Sequence, residues 1–328
     1  MHAWLCENPV GVDALQWKEL PTPEPQAGEV RIAIEAASLN FPDLLMVQNK
    51  YQMKPPLPFV PGAEYAGTVE AVGEGVRHLQ PGQRVACLSG TGGFATHVIA
   101  KAALCMPLPA GFPPVDAAAF IMTYATSHHA LIDRAQLKIG ETVLVLGAAG
   151  GVGTAAIQIA KAAGARVVAA ASSAEKCALC TSLGADATIN YRELKDPKAL
   201  REAITAACGG KGPDVIYDPV GGDLAEPALR SINWRGRYLV VGFAAGPIPA
   251  LPFNLVLLKG ASLVGVFWGE FAKREPNSNA AMMGELASWY GLGRIKPVID
   301  RVMPMAELPA AFARMGSREV MGKLVLVN

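Results

Sequence analysis

Residues 140–161 read G-E-T-V-L-V-L-G-A-A-G-G-V-G-T-A-A-I-Q-I-A-K: an apolar run, a glycine-rich turn and a small-residue helical stretch in direct succession. The run 142–146 has the length and composition of a buried strand. Ala149, Gly150, Gly151, Val152 and Gly153 follow where the backbone must turn sharply and admit a pyrophosphate. A helix from about Val152 aims its free N–H groups and the positive end of its dipole at that phosphate. Ala148 stands for the first glycine of the usual G-x-G-x-x-G, leaving A-x-G-x-x-G. Glycines alone also make an ordinary tight turn. The strand before them and the helix after them, with Gln158 and Lys161, point to a dinucleotide.

At 328 residues the chain exceeds one ordinary core, since domains cluster near ~100–150 residues, and two domains are expected. Hydrophobic residues make up 51% and charged residues 17%, at a formal net charge of +1. That balance offers no broad basic field to nucleic acid or a membrane surface, so the expected partner is a small molecule. No apolar run approaches the ~20 residues of a bilayer span, and the N-terminus lacks the regions of a signal peptide, which implies a cytoplasmic address. Cys6, Cys87, Cys105, Cys177, Cys180 and Cys208 read as free thiols in a reducing compartment. Only Cys177 and Cys180 are spaced C-x-x-C, in a pattern that reads as a helix face rather than a redox pair.

The first third alternates short β-like runs, 30–36, 65–72, 84–88 and 95–99, with Pro and Gly, the rhythm of an antiparallel barrel or sandwich. From about Met122 strands and helices alternate, as a doubly wound parallel sheet requires. The strand runs there are 142–146, 166–170, 187–189, 215–218, 238–242 and 262–266. Beyond Trp268 come a polar helix start, a helix over 280–290 and a last strand-like run, 323–327. Packing of this tail on the first domain makes that domain discontinuous, 1–122 with 268–328, around a dinucleotide-binding domain at 123–267. The expected fold class is α/β.

A-A-S-L-N-F-P-D at 36–43, Y-Q-M-K-P-P-L-P-F-V-P-G-A-E at 51–64, A-G-T-V-E-A-V-G at 66–73 and the glycine-turn segment carry a family resemblance. Together they resemble the zinc-free quinone oxidoreductase branch, which includes zeta-crystallin, of the medium-chain dehydrogenase/reductase superfamily. The resemblance covers nearly the whole chain. It implies a GroES-like β-barrel catalytic domain, a Rossmann domain and an active site in the cleft between them.

Departures from the zinc-dependent relatives bear on the chemistry. Where those carry a ligating Cys before x-x-Asp, this chain has Asn40 before Phe41-Pro42-Asp43, and where they carry Gly-His-Glu it has Gly62-Ala63-Glu64. The region of the third ligand, Phe120-Ile121-Met122-Thr123, holds no thiolate, and only Cys87 and Cys105 fall near the place of a four-cysteine structural zinc lobe. Catalytic zinc needs three His, Cys or carboxylate ligands in tetrahedral reach, which Asp43 and Glu64 alone do not supply. Both are expected as buried supporting carboxylates, with no metal. Without a Lewis acid to polarise an alcohol, reduction of an already activated acceptor remains. A quinone or an enone takes hydride directly and spreads the charge onto oxygen, so the protein must align the reactants and offer donors to that oxygen.

An NAD-specific site carries Asp or Glu at the end of the second strand, roughly 20 residues after the turn. Ala171 stands there, followed by Ser172, Ser173 and Lys176, which can hydrogen-bond and pair with a 2′-phosphate. NADPH is therefore favoured over NADH. Helix capping by the serines is compatible with that role. The resemblance adds Tyr191 as a phosphate contact. It also implies Asn40, Thr126, the loop Gly242-Phe243-Ala244-Ala245-Gly246 and Val266-Phe267-Trp268 at the nicotinamide end. Core packing is the competing reading for the aromatic residues of that set. Tyr51 is the candidate for the substrate pocket, either as a donor to the acceptor oxygen or only as a shaping residue, with solvent as the other proton source. His128 and His129 face different ways from their helix and read as packing or solvent-facing residues.

The expected activity is NADPH-dependent, zinc-independent reduction of a quinone or conjugated carbonyl, with Tyr51 and Asn40 as candidate catalytic residues. The alternative enzyme is an enoyl-thioester (enoyl-CoA or acyl-carrier) reductase, for which Lys50, Lys54, Lys273 and Arg274 are the few nearby cations. An alternative of another class is an NADPH-binding redox sensor or a crystallin-like structural protein. By resemblance a homodimer forms through the sixth strands, 262–267.

Overall fold

The structure, a computed structural model, describes all 328 residues. Two units divide the chain, Met1–Met122 with Ile299–Asn328, and Thr123–Val298. The first holds β1 (His2–Leu5), β2 (Gln16–Glu19), β3 (Glu29–Ser38), β4 (Glu64–Val72), β5 (Arg84–Leu88), β6 (His97–Lys101) and β7 (Cys105–Pro107). Two strands from the end of the chain, β14 (Ile299–Pro304) and β15 (Lys323–Val327), join them. The order is β14-β15-β3-β4-β5-β7, with β6 also on β3 and β1–β2 as a separate pair. β3 turns Val30, Ile32 and Ile34 into the core at alternate positions, the period of a strand with one buried face. Trp4, Tyr65, Phe94 and Phe312 fill that core, with Phe94 edge-on to Phe312 at 5.9 Å. The run expected at 95–99 forms at 97–101 instead. Ala95 bridges Ala3 and the Thr96 N–H donates to His2 O, so these residues belong to the β1 side.

The second unit is a six-stranded sheet: β8 (Thr142–Leu146), β9 (Arg166–Ala171), β10 (Ala187–Asn190), β11 (Val215–Asp218), β12 (Arg237–Val240) and β13 (Ser262–Gly265). All its pairings are parallel, in the order β10-β9-β8-β11-β12-β13. Parallel strands covered on both faces need continuous apolar runs, which Val143–Leu144–Val145 and Val167–Val168 supply at full burial. The order reverses between β8 and β11, the topological switch point at which such sheets take ligands. β12 ends at Val240, two residues early: Val241 N still donates to Asp218 O as the last rung, and Gly242 N then doubles back to the same oxygen instead of continuing the strand.

The chain was expected to return to the first unit at 268; it returns at 299. Helices Trp268–Arg274 and Pro276–Gly291 are anchored in the second unit. His129 stacks on Phe271 at 4.3 Å, and His128 Nε2 lies 3.0 Å from Glu285 Oε2. The buried amide of Gln158 donates to Lys296 O and accepts from Lys296 N. Both histidines are buried, so neither faces solvent. Cys180 is buried on helix Ala174–Ser182, which pushes its thiol up to about 12, while Cys177 is partly exposed. No helix is long and apolar enough to cross a membrane.

Helix Gly151–Ala162 lies so close to the turn before it that a Cβ on Gly153 would stand 2.5 Å from Gly147 O and 2.7 Å from Ala148 O. Gly153→Val is therefore expected to lower the unfolding free energy by about 1–3 kcal/mol. Urea denaturation reads this directly, and an unchanged midpoint would mean that the helix can step back freely.

Candidate functional site

In the second unit, strand register brings most of the expected cofactor residues to one edge. Leu146 pairs with Ala170, Asn190 with Ala171, Asp218 with Val240, and Val240 with Gly265. The segments that leave these strands therefore start at one level: the turn Gly147–Gly150, Ser172–Ser173, Tyr191, Pro219–Gly222, Val241–Ala244 and Val266–Phe267. Gly150 caps the helix in extended conformation, and Gly151, Val152 and Gly153 open it. Ser173 caps the next helix, its Oγ accepting from Lys176 N at 3.3 Å, so the capping reading is observed. Ser172 and Tyr191 are partly exposed on neighbouring strand exits. Thr126 opens a helical turn whose next residue, Ser127, bonds Val152 O and lies 2.9 Å from Tyr217 Oη, fixing this turn against the glycine helix.

Phe267 and Trp268 separate. Phe267 is 57% exposed, whereas Trp268 is buried with its indole N–H on Asn279 Oδ1 at 2.9 Å. Trp268 is thus a packing anchor, and only Phe267 presents its ring. Gly242, Phe243 and Ala244 form a loop laid on residues 219–222. Ala244 N donates to Pro219 O, and a Cβ on Gly221 would meet Phe243 at 3.0 Å.

In the first unit Asn40 and its neighbours build a closed polar node. Asn40 N donates to Asp43 Oδ2 at 2.8 Å, Asp43 N returns a bond to Asn40 O, and Ala63 N donates to Asp43 Oδ1 at 3.0 Å. Ser38 Oγ and Asn40 Nδ2 donate to Glu64 Oε2 at 2.9 and 3.0 Å, and Met122 N donates to Glu64 Oε1. Lys323 Nζ donates to Asn40 Oδ1 at 2.6 Å and to Leu39 O at 2.8 Å, and stands 3.4 Å from Glu64 Oε2. Ser38, Asp43 and Glu64 are 0% exposed and Asn40 and Lys323 5%. One ammonium faces two carboxyl groups out of water. Burial holds the Lys323 pKa below its usual value, and burial pushes Asp43 up to about 7 against the N–H donors and the Lys323 charge that pull it down.

These residues do not fit a zinc ion. The carboxylate oxygens are taken by N–H and O–H donors, and an ammonium stands where a dication would have to compete for them. No group of three or more His, Cys, Asp or Glu side chains is placed to hold a metal ion. Asn40 has its Oδ1 and one Nδ2 hydrogen engaged, which leaves the second Nδ2 hydrogen for a ligand.

Tyr51 is half-buried and lines a cavity of about 180 Å³ with Met46, Met53, Lys54, Leu57 and Phe59. Burial and the nearby Asp43 raise its phenol pKa, so it remains a proton-bearing donor at neutral pH. Sequence reading missed Lys323, although a lone lysine opening the apolar run K-L-V-L-V was a signal. It also missed Asp218, whose Oδ1 accepts from Val220 N and Gly221 N and whose Oδ2 accepts from Tyr238 Oη. The signal there was an acid at the end of a buried strand before Pro219-Val220-Gly221-Gly222.

Comparison with known proteins matches residues 26–110 to the alcohol dehydrogenase GroES-like domain and residues 151–287 to the zinc-binding dehydrogenase family. The chain is 38% identical to quinone oxidoreductase-like protein 2 of Bos taurus, over 93% of its own length and 87% of that protein's. Among solved structures, the quinone oxidoreductase of Thermus thermophilus, known also as its NADPH complex, superposes with a TM-score of 0.85 at 36% identity over 100% of both chains. A mycobacterial protein complexed with NADPH gives a TM-score of 0.92 at 31% identity, again over 100% of both chains.

The raised Asp43 pKa has a pH signature. Unfolded Asp titrates near ~3.9, so between there and about 7 the folded state holds a proton that the unfolded state has lost. The stability from Asp43 is full below pH ~4 and falls as pH rises to about 7, by up to about 1.4 kcal/mol per pH unit. Asp43→Asn is expected to flatten that decline. Urea unfolding across this range checks it, and equal slopes in both proteins would remove Asp43 as the cause.

Proposed function

Because this chain belongs to the quinone oxidoreductase branch of the medium-chain dehydrogenase/reductase superfamily, we propose that it is an NADPH-dependent, zinc-independent reductase of quinones or conjugated carbonyls. The observation that carries this reading is the exit of β9: a small, uncharged Ala171 stands where an acid would repel a 2′-phosphate, with Tyr191 leaving the neighbouring strand at the same level. Ser172, Ser173, Lys176 and Tyr191 would hold that phosphate. Ala149, Gly150, Gly151, Val152 and Gly153 would hold the pyrophosphate at the helix N-terminus. Thr126, Asn40, Gly242, Phe243, Ala244 and Phe267 are assigned to the nicotinamide end, with Trp268 supporting Phe267 from the core. When bound, NADPH supplies the hydride.

The protein's own share is orientation and charge. Asn40, locked by Lys323 and Glu64, presents its remaining N–H in one direction. Tyr51 donates a hydrogen bond to the acceptor oxygen as charge develops there, while Met46, Met53, Leu57 and Phe59 exclude water around an apolar ring. Lys54 in the same wall favours a second reading, an enoyl thioester whose phosphates the ammonium would meet.

We also assign a second copy of the chain to the free edge of β13. Ser262 N and Val266 N bond back to the β12 side, so the N–H groups of Leu263 and Gly265 point outward. The helix Phe253–Lys259 just before it exposes Phe253, Leu257 and Leu258 by 78%, 80% and 67%.

A panel of quinones, enones and enoyl-CoA esters, followed by NADPH oxidation, tests the activity. Turnover is expected with quinones or enones, and binding without turnover by any acceptor would support a non-catalytic NADPH-binding role instead. Lys176→Ala is expected to weaken NADPH binding about tenfold, about 1.4 kcal/mol, and to leave NADH unchanged; equal losses for both cofactors would contradict the phosphate assignment. Leu263→Pro removes one outward N–H without touching the internal ladder. Sedimentation of this variant as single chains is expected, against paired chains in the parent, and an unchanged parent-like dimer would place the interface elsewhere.

A further inference from the structure

We propose that Cys87 and Cys105 are a peroxide-oxidisable pair, a modification site in the first unit that closes to a reversible intrachain disulfide. The inference does not rest on the NADPH reading. The two residues are direct partners across β5 and β7. Their pair type follows from the ladder. Leu108 N donates to Arg84 O, so that pair is hydrogen-bonded, and Pro107, opposite Val85, has no N–H to give. Alternation then makes Ala86–Met106 a bonded pair and Cys87–Cys105 a non-bonded one. The Cys105 N–H agrees, since it turns away to Ala102 O. Non-bonded antiparallel pairs bring Cα atoms to about 4.5 Å with side chains on the same face, at the near end of the roughly 4.4–6.8 Å range a disulfide spans.

Tyr65 lies opposite Cys87 on the other side, from β4, so a phenol, a thiol and a second thiol form one row across three strands. Within this row the Cys87 thiol is held below its usual pKa, chiefly by the Cys105 thiol and further by Tyr65, against the opposing effect of burial. The Cys87 thiol, and burial after it, raise Cys105. Cys87 is therefore the thiol that ionises first, which is the requirement for a nucleophile. Both side chains are buried, and access comes from position. β7 is three residues long and ends the sheet, and Leu104 beside it is 45% exposed. Short edge strands open locally at low free energy, which admits a molecule the size of hydrogen peroxide.

The step balances with hydrogen peroxide as oxidant. The Cys87 thiolate attacks one peroxide oxygen, the O–O bond breaks, and the hydroxide released takes up the proton from Cys87 to leave as water. The resulting Cys87 sulfenic acid is attacked by Cys105 Sγ. The S–O bond breaks, the S–S bond forms, and the Cys105 proton leaves with the hydroxyl as a second water. Two electrons pass from the sulfurs to the peroxide.

The test treats the intact native protein with stoichiometric hydrogen peroxide, blocks remaining thiols, and maps peptides by mass spectrometry. The expected result is a peptide pair joined through Cys87 and Cys105, lighter by two hydrogens, with far-UV dichroism unchanged and both thiols recovered with dithiothreitol. In Cys105→Ala, dimedone is expected to trap the Cys87 sulfenic acid. Recovery of Cys87 and Cys105 as free thiols from the oxidised native protein, or linkage only in urea, would overturn the proposal whatever the variant does.

Discussion

The first unit hangs on one buried cation. Lys323 opens the last strand of the chain, and its ammonium reaches Leu39 O, Asn40 Oδ1 and Glu64 Oε2. A charge taken out of water survives only when paired and hydrogen-bonded, and removal of one partner from such a group typically costs about 3–5 kcal/mol. The same contacts that satisfy the ammonium therefore tie the end of the chain to residues some 260 to 284 positions earlier. They also decide the local chemistry. Glu64 holds Asn40, Asn40 caps the helix that carries Asp43, and Asp43 grips Ala63. Burial carries the Asp43 pKa up to about 7 against the N–H donors and the Lys323 charge that pull it down.

The second unit obeys the same rule with backbone donors. Asp218 at the end of β11 uses both carboxylate oxygens, one on the turn Val220–Gly221 and one on Tyr238, whose phenol pKa rises through burial and this carboxylate. The turn so fixed is the seat of the Phe243 loop. Across the switch point, Ser127 and Tyr217 pin Thr126 to the glycine helix. A rim of loops is thereby held at one level by side chains rooted in the sheet.

Strands 142–146, 215–218 and 323–327 were legible to the residue because a buried strand is a short apolar run between turn residues. Ends were less legible where another partner takes over the backbone, as Asp218 O does for Gly242 and His2 O for Thr96. The assignment of 268–298 failed for a related reason. Gln158, His128 and His129 look like incidental polar residues in apolar helices, and nothing local says that they hold the segment that follows β13. Trp268 and Phe267 were equal in sequence and differ in the fold, since only one has Asn279 to receive its N–H.

The sequence by itself determined what depends on single residues at fixed spacing: the glycine turn after β8, the missing acid at Ala171, and Asn40 and Ala63 where zinc ligands would stand. Each is local chemistry, set by backbone geometry or by the presence of one functional group. Tertiary structure decided which groups meet. It put Lys323 between Asn40 and Glu64, set Asp43 near neutrality, and laid Cys87 against Cys105 in a non-bonded pair. Those properties arise from burial and from charges or thiols brought together across long stretches of chain, and no local pattern encodes a dielectric or a register.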